Sequence, residues 1–224
     1  MVATAAHHIR QHGSLLAAPE KRLLIWIAHR LPRAINSDHL TILALVAMGG
    51  AGAAFAAARY WPLALWLVVL ALLVNWFGDS LDGTLARVRQ VERPRYGFYV
   101  DHVLDIVGIT LLLGGLACSG YMTPLVAMMT LVAYLLVSAE VFLATAAHGV
   151  FRMSFLCFGP TELRIVLACG SIALFNDPYV DLGALGRYPL FDFGGIIAAT
   201  GLVVALLHAT VRNTRVLARM EPRR

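Results

Sequence analysis

Four aspartates in one stretch of the chain offer the clearest chemistry: Asp79, Asp82, Asp101 and Asp105. An ionised side chain inside a membrane helix costs at least about 2.5–3.5 kcal/mol, so four together are an expensive feature. Carboxylates that face one another repel unless they are protonated or neutralised by a cation. Oxygen ligands of this kind suit Mg²⁺, Mn²⁺ or Ca²⁺, whereas zinc favours His and Cys. Pairing with nearby Arg would explain one such residue but not four, so the pattern predicts a carboxylate metal site.

The spacing of these residues places them on two helical faces. The residues of the first helix that share this face recur at steps of four, three and four, at Asn75, Asp79, Asp82 and Ala86. Those of the second recur at steps of four, at Gly97, Asp101 and Asp105. Residues three or four apart share one face of an α-helix. Because the connection between the helices is short, we expect antiparallel packing with the carboxylates converging.

The composition shows what kind of element must position this site. Apolar residues make up 59% of the chain, charged residues only 14%, and the mean hydropathy is +0.74. Soluble domains are about half apolar and a quarter charged, so the excess predicts an all-α integral membrane protein. Spanning helices need about 20 mostly apolar residues. Six segments qualify and form the predicted bundle, at 40–58, 62–78, 98–119, 122–146, 162–176 and 189–210.

The basic residues predict an orientation for this bundle. Sixteen of the 18 Lys and Arg side chains fall on the side that carries both termini and the four aspartates. Cytoplasmic loops of membrane proteins are enriched in Lys and Arg. We therefore expect the termini and the site on the cytoplasmic side of a cell membrane, with the bacterial cytoplasmic membrane as the leading location. The net charge of +5 is then explained by anionic lipid headgroups and not by nucleic acid.

The segment before the first span predicts a separate element. Residues 19–31 place apolar side chains at helical spacing among cationic ones, which predicts an amphipathic helix lying in the membrane interface. The stretch is too short and too charged for a seventh span. The expected organisation is an N-terminal interfacial segment over 1–35, a six-helix membrane domain over 36–212 and a basic cytoplasmic tail over 213–224.

Residues 79–105 also carry a recognisable motif. They read DSLDGTLARVRQVERPRYGFYVDHVLD, which resembles D-x-x-D-G-x-x-A-R followed by G-x-x-x-D-x-x-x-D, the signature of the CDP-alcohol phosphotransferase (phosphatidyltransferase) family. All eight defining positions are present, at Asp79, Asp82, Gly83, Ala86, Arg87, Gly97, Asp101 and Asp105. The predicted six-helix layout and the N-terminal helix are also similar to the family.

The resemblance implies an enzyme of phospholipid synthesis. Such an enzyme moves a phosphate-linked group from a CDP-activated donor, here CDP-diacylglycerol, to an alcohol acceptor and releases CMP. It implies two divalent cations, Mg²⁺ or Mn²⁺, held by Asp79, Asp82 and Asp101, with Asp105 as a ligand and as the general base. Metals so placed would neutralise the donor phosphates and stabilise the leaving CMP.

The resemblance assigns further residues to the substrates. Gly83, Ala86 and Gly97 would line the CDP and substrate site, and Arg87 would face phosphate. Residues 37–41 resemble the stretch that opens the family's first span, with Thr41 as the matching position. Residues 159–164 resemble a turn before the fifth span of some members. There Thr161 is the expected N-cap, and Arg164 either faces phosphate or snorkels to the interface.

Other functions remain open at this point. His102, directly after Asp101, resembles choline or ethanolamine phosphotransferases, which act on diacylglycerol. A cation transporter that uses the aspartates is an alternative of another class, although its ligands should lie near the bilayer midplane. Glu140 is expected either to pair with an Arg or to line the pocket. A homodimer is an arrangement that the sequence leaves open.

Overall fold

The computed structural model describes residues 17–148, 160–183 and 186–221. Seven helices and one antiparallel hairpin make up this part of the chain. They are α1 (Ala17–Ala28), α2 (Ser37–Ala58), α3 (Ala64–Val88), α4 (Pro94–Cys118), α5 (Pro124–His148), α6 (Pro160–Ala173), β1 (Tyr179–Asp181), β2 (Arg187–Pro189) and α7 (Leu190–Met220). The predicted N-terminal segment lies partly outside the described residues, as do the last three residues of the predicted tail.

Five of these helices are long and apolar enough to cross a membrane, namely α2, α3, α4, α5 and α7. The chain is therefore an all-α integral membrane protein. Helix α6 coincides with the fifth predicted span, but its 14 residues are fewer than the roughly 20 that a spanning helix needs. Residues 149–159, directly before it, lie outside the described part of the chain.

Small residues let three of the spanning helices approach closely. Gly52 of α2 lies against Gly115 and the Leu111 carbonyl of α4, so closely that a Cβ at either glycine would collide with backbone. Gly78 of α3 lies against the Leu40 carbonyl of α2 in the same way. In a membrane, where lipid is as apolar as the helices, such close backbone packing holds helices together. It places α2 between α3 and α4.

Helix α1 packs against the end of α3. Leu24 and Ala28 are buried in a small cluster with Leu40, Leu81 and Leu85. Exposed residues, Leu23 and Trp26, lie on its other face. The helix therefore has a packed side and an open side, and its packed side lies near the aspartate-bearing half of α3.

Polar contacts tie the start of α2 to the helices beside it. The guanidinium of Arg89, at the end of α3, donates to the carbonyls of Leu31, Pro32 and Ile35 in the connection before α2. Asp38 in the first turn of α2 forms an ion pair with Arg93, directly before α4. The beginnings of α2 and α4 therefore meet the end of α3 at one end of the bundle.

Candidate active site

A cavity opens at that end between α2, α3, α4 and α6, with a volume of about 40 Å³. Its apolar walls come from α2 and α4. Its polar lining consists of Thr41, Asn75, Asp79, Asp82, Asp101, Asp105 and Arg164. The four aspartates that were predicted to converge therefore share one cavity, together with the two residues, Thr41 and Arg164, that the weaker motifs indicated.

Asp82 is the most deeply buried of the four, with 7% of its surface exposed. One carboxylate oxygen accepts a hydrogen bond from the Thr41 hydroxyl at 2.7 Å, and the other accepts from the Gly83 backbone N–H at 2.5 Å. A buried carboxylate is costly without such donors. Asp79 and Asp101 lie within electrostatic range of it. Helix α2 therefore contributes to the site through Thr41.

Arg164 joins α6 to the aspartate face of α3. One guanidinium nitrogen lies 2.6 Å from Asp79 Oδ2, and its Nε donates to Asn75 Oδ1 at 2.6 Å. Asn75 in turn donates to the Ala44 carbonyl of α2 at 2.8 Å. The Arg164 side chain is only 11% exposed, so it points into the cavity and does not extend to the membrane surface. Its positive charge offsets one of the four carboxylates.

The wall formed by α4 is the more open one. Asp101 is partly buried and Asp105, one turn further along the helix, is exposed. The carboxylates thus range from the buried Asp82 on α3 to the accessible Asp105 on α4. Counted from the end of the bundle, Asp105 lies one helical turn deeper along α4 than Asp101.

Four other signature residues do not line the cavity. Gly83, Ala86, Arg87 and Gly97 lie nearer the end of the bundle, beyond Asp82 on α3 and before Asp101 on α4. The guanidinium of Arg87 lies 3.5 Å from the place that a Cβ would occupy on Gly83, and it donates to Thr84. A Cβ on Gly97 would meet no atom within 4 Å. These residues border the approach to the cavity.

The donor set fits a divalent cation in chemical type. Four carboxylates line one cavity, and hard oxygen ligands are those that Mg²⁺ and Mn²⁺ prefer. Across the described residues, however, no three His, Cys, Asp or Glu side chains meet at one point that could hold a metal. Asp79 is turned toward Arg164 and Asp82 toward Thr41. Ligation would therefore require Asp79 to turn away from Arg164, whereas each Asp82 oxygen keeps a second lone pair beside its present donor.

Two sequence expectations need correction. Thr161 is not an N-cap: it lies inside the first turn of α6, where its hydroxyl donates to Glu20 at 3.1 Å. Among the described residues, Glu140 forms no ion pair with Arg and does not line the cavity; it accepts a hydrogen bond from Asn213 of α7 at 2.7 Å. Glu20 itself was missed, because a single acid in a short helix carries no signal that it will reach α3 and α6.

A family model described as CDP-alcohol phosphatidyltransferase matches residues 35–207, more than three quarters of the chain. A search of the curated proteins returned no significant match. The family consists of phosphate-group transferases of phospholipid synthesis that generally depend on a divalent cation. The matched residues include all five spanning helices in whole or in part, as well as the complete polar lining of the cavity. This integral membrane chain therefore belongs to the CDP-alcohol phosphatidyltransferase family.

Proposed function

We propose that the chain transfers the phosphatidyl group of CDP-diacylglycerol to an alcohol and releases CMP. One observation carries this proposal: the four signature aspartates, which come from two helices, line a single cavity. Phosphoryl transfer depends mainly on positioning and on stabilising charge at the phosphate and leaving group. A compact carboxylate cluster is suited to that task once cations are bound.

Asp79, Asp82 and Asp101 are the proposed ligands of two divalent cations, Mg²⁺ or Mn²⁺. Bound there, the cations would neutralise the donor diphosphate and the leaving CMP. Thr41 orients Asp82 by its hydrogen bond, which keeps one carboxylate oxygen aimed along the α2 wall. Arg164 pairs with Asp79 and would become available to phosphate when that carboxylate turns toward a bound cation.

Asp105 is the proposed general base toward the acceptor hydroxyl. Its exposure supports this role, because the alcohol must reach the base from outside the buried part of the cavity. The residues that border the approach are the proposed CDP contacts. Gly97 leaves open space beside the backbone, Gly83 lies directly under the Arg87 guanidinium, Ala86 adds little bulk, and the exposed Arg87 extends a cation toward phosphate.

We propose a cytoplasmic location for the site and for both termini, on the strength of the distribution of Lys and Arg. Helix α6 is the proposed remaining span of the six-helix bundle. Helix α1 would lie in the interface, where the exposed Trp26 is stacked under the Arg30 guanidinium at 3.9 Å. Aromatic and cationic side chains favour that depth in a bilayer.

The alternatives find less support. The aminoalcohol alternative relied on His102, but this side chain is buried between Phe98 and Phe142 and does not line the cavity. A cation transporter should bind its ion near the bilayer midplane. Here the aspartates lie toward the end of the bundle where α2 and α4 begin, with Asp79 and Asp82 in the second half of α3 and Asp101 and Asp105 in the first half of α4.

The test is CMP release by purified protein in vesicles that contain CDP-diacylglycerol and Mg²⁺, with a panel of alcohols. We expect release with at least one alcohol, loss of release in Asp82→Asn, and full release in Asp181→Asn, a matched change in the exposed hairpin. Release only from CDP-choline or CDP-ethanolamine with diacylglycerol would overturn the proposed donor. No release from either donor class by folded protein would overturn the transferase assignment to this chain.

A further inference from the structure

Glu20 lies before the residues that the family model matches, and its side chain contacts three residues within them. One carboxylate oxygen accepts hydrogen bonds from Trp76 Nε1 at 2.7 Å, Thr161 Oγ1 at 3.1 Å and Ser80 Oγ at 3.3 Å. Glu20 belongs to the first turn of α1, Trp76 and Ser80 to α3, and Thr161 to the first turn of α6. A single side chain of the N-terminal helix therefore connects the two helices that carry Asp79 and Arg164.

The register of these contacts links them to the cavity. On α3, Trp76 and Ser80 directly follow the two residues that receive Arg164, namely Asn75 and Asp79. On α6, Thr161 precedes Arg164 by three residues, which is about one helical turn. The Glu20 carboxylate thus joins α3 to α6 at the same level at which Arg164 joins them inside the cavity.

We propose that Glu20 is a positioning residue, which holds the first turn of α6 against α3 so that Arg164 enters the cavity beside Asp79. Its catalytic consequence rests on the proposed function. The three groups that donate to it are neutral, so the contact needs a hydrogen-bond acceptor and not a negative charge. A Gln side chain offers the same acceptor oxygen, whereas Ala removes it.

The catalytic test compares CMP release by Glu20→Ala, Glu20→Gln and the exposed-acid control Glu221→Ala. We expect kcat/KM to fall roughly ten- to a hundredfold in Glu20→Ala, since a displacement of about 1 Å at a reacting centre has effects of that size. Glu20→Gln should recover most of the activity, and Glu221→Ala should match the wild type. Equal losses in the Gln and Ala variants would overturn the proposal, because they would show that the charge and not the hydrogen-bonded position matters.

Combining Glu20→Ala with Arg164→Lys separates positioning from general support of the fold. If Glu20 acts through Arg164, adding Glu20→Ala to the Arg164→Lys background should change kcat/KM less than threefold. A merely structural Glu20 would cause the full loss in either background. The same fold-loss of kcat/KM in both backgrounds would contradict the proposal.

Protein stability tests the role of Glu20 without relying on CMP release. Thermal unfolding midpoints in detergent are measured for the wild type, both single variants and the double variant. We expect the double variant to unfold at a higher temperature than the two separate shifts predict, because each change loosens the same α3–α6 contact. Additive shifts would overturn the proposal even if CMP release is observed. Coupled shifts would support it even if no CMP is released.

Discussion

Replacing Gly78 with Ala should disturb the site from a position that touches no substrate. Gly78 lies on α3 between Asn75 and Asp82, and it packs against the start of α2. A Cβ built at this position would lie 2.6 Å from the Leu40 carbonyl oxygen and 3.0 Å from the Ala44 nitrogen. These are backbone atoms, so the clash is relieved only by moving α2 itself.

The size of the effect follows from these distances. Restoring an ordinary contact of 3.4 Å requires α2 to move by about 0.8 Å. The same movement would stretch the Thr41–Asp82 hydrogen bond from 2.7 Å toward about 3.5 Å, the limit for such a bond. Overpacking of this kind costs about 1–3 kcal/mol. Ala gains about 1 kcal/mol over Gly in helix propensity, so the net loss of unfolding free energy should be about 0–2 kcal/mol.

The matched control is Gly50→Ala on α2, where an added Cβ meets no atom within 4 Å. Because the propensity gain is common to both variants, their unfolding free energies in detergent should differ by the overpacking cost of about 1–3 kcal/mol. CMP release should fall roughly tenfold or more in Gly78→Ala alone. If Gly78→Ala were as stable and as active as Gly50→Ala, close packing of α2 on α3 would not govern the position of Asp82, and the reasoning would fail.

Three further predictions concern charged side chains. Asp105→Asn should abolish CMP release, while its affinity for the CDP donor, measured by equilibrium dialysis, stays within about threefold of the wild type. Full CMP release by this variant would show that Asp105 is not the base. Arg164→Gln should lower the unfolding free energy by about 1–3 kcal/mol, because it leaves the partly buried Asp79 without its Arg partner. The exposed control Arg187→Gln should change the unfolding free energy by less than about 1 kcal/mol. Equal effects of the two variants would contradict the prediction. In the hairpin, the Tyr179 N–H and Arg187 hold the pKa of Asp177 below its usual 3.8. The ionised Asp177 carboxylate therefore stabilises the hairpin fully above pH 3.8, and this stabilisation is lost as the pH falls through the lower pKa of the folded state. Hydrogen exchange of the Tyr179 amide should report the loss. Protection of that amide unchanged down to pH 2 would contradict the prediction.

The aspartate cluster was the part of the site that the sequence predicted best. Helical spacing defines the direction of a side chain around its helix, and Asp79 and Asp82 do share a face that meets Asp101 and Asp105. Spacing does not define how far the cavity extends along the helices. Ala86, one turn beyond Asp82, has the right direction but lies past the cavity.

The contacts that organise this cluster depend on packing between distant segments. Arg164 lies 85 residues after Asp79, and Glu20 lies 141 residues before Thr161. Neither pairing follows from a local pattern, because it depends on which faces of α1, α3 and α6 meet. Hydropathy likewise predicted six spans, but α6 is only 14 residues long. Hydropathy reports how apolar a segment is, whereas the length of a helix depends on where its backbone hydrogen bonding begins and ends.

The most direct test of the central claim measures cation binding and CMP release on the same samples. Mn²⁺ binding is followed by electron paramagnetic resonance, while CMP release from CDP-diacylglycerol and an accepted alcohol is titrated over the same Mn²⁺ range. We expect both signals to rise together in the wild type and in Asp181→Asn, and Asp101→Asn to weaken both by about tenfold or more. Full CMP release in excess chelator, or Mn²⁺ binding that is unchanged in Asp101→Asn, would contradict the claim that the aspartate cavity is a cation-dependent transferase site.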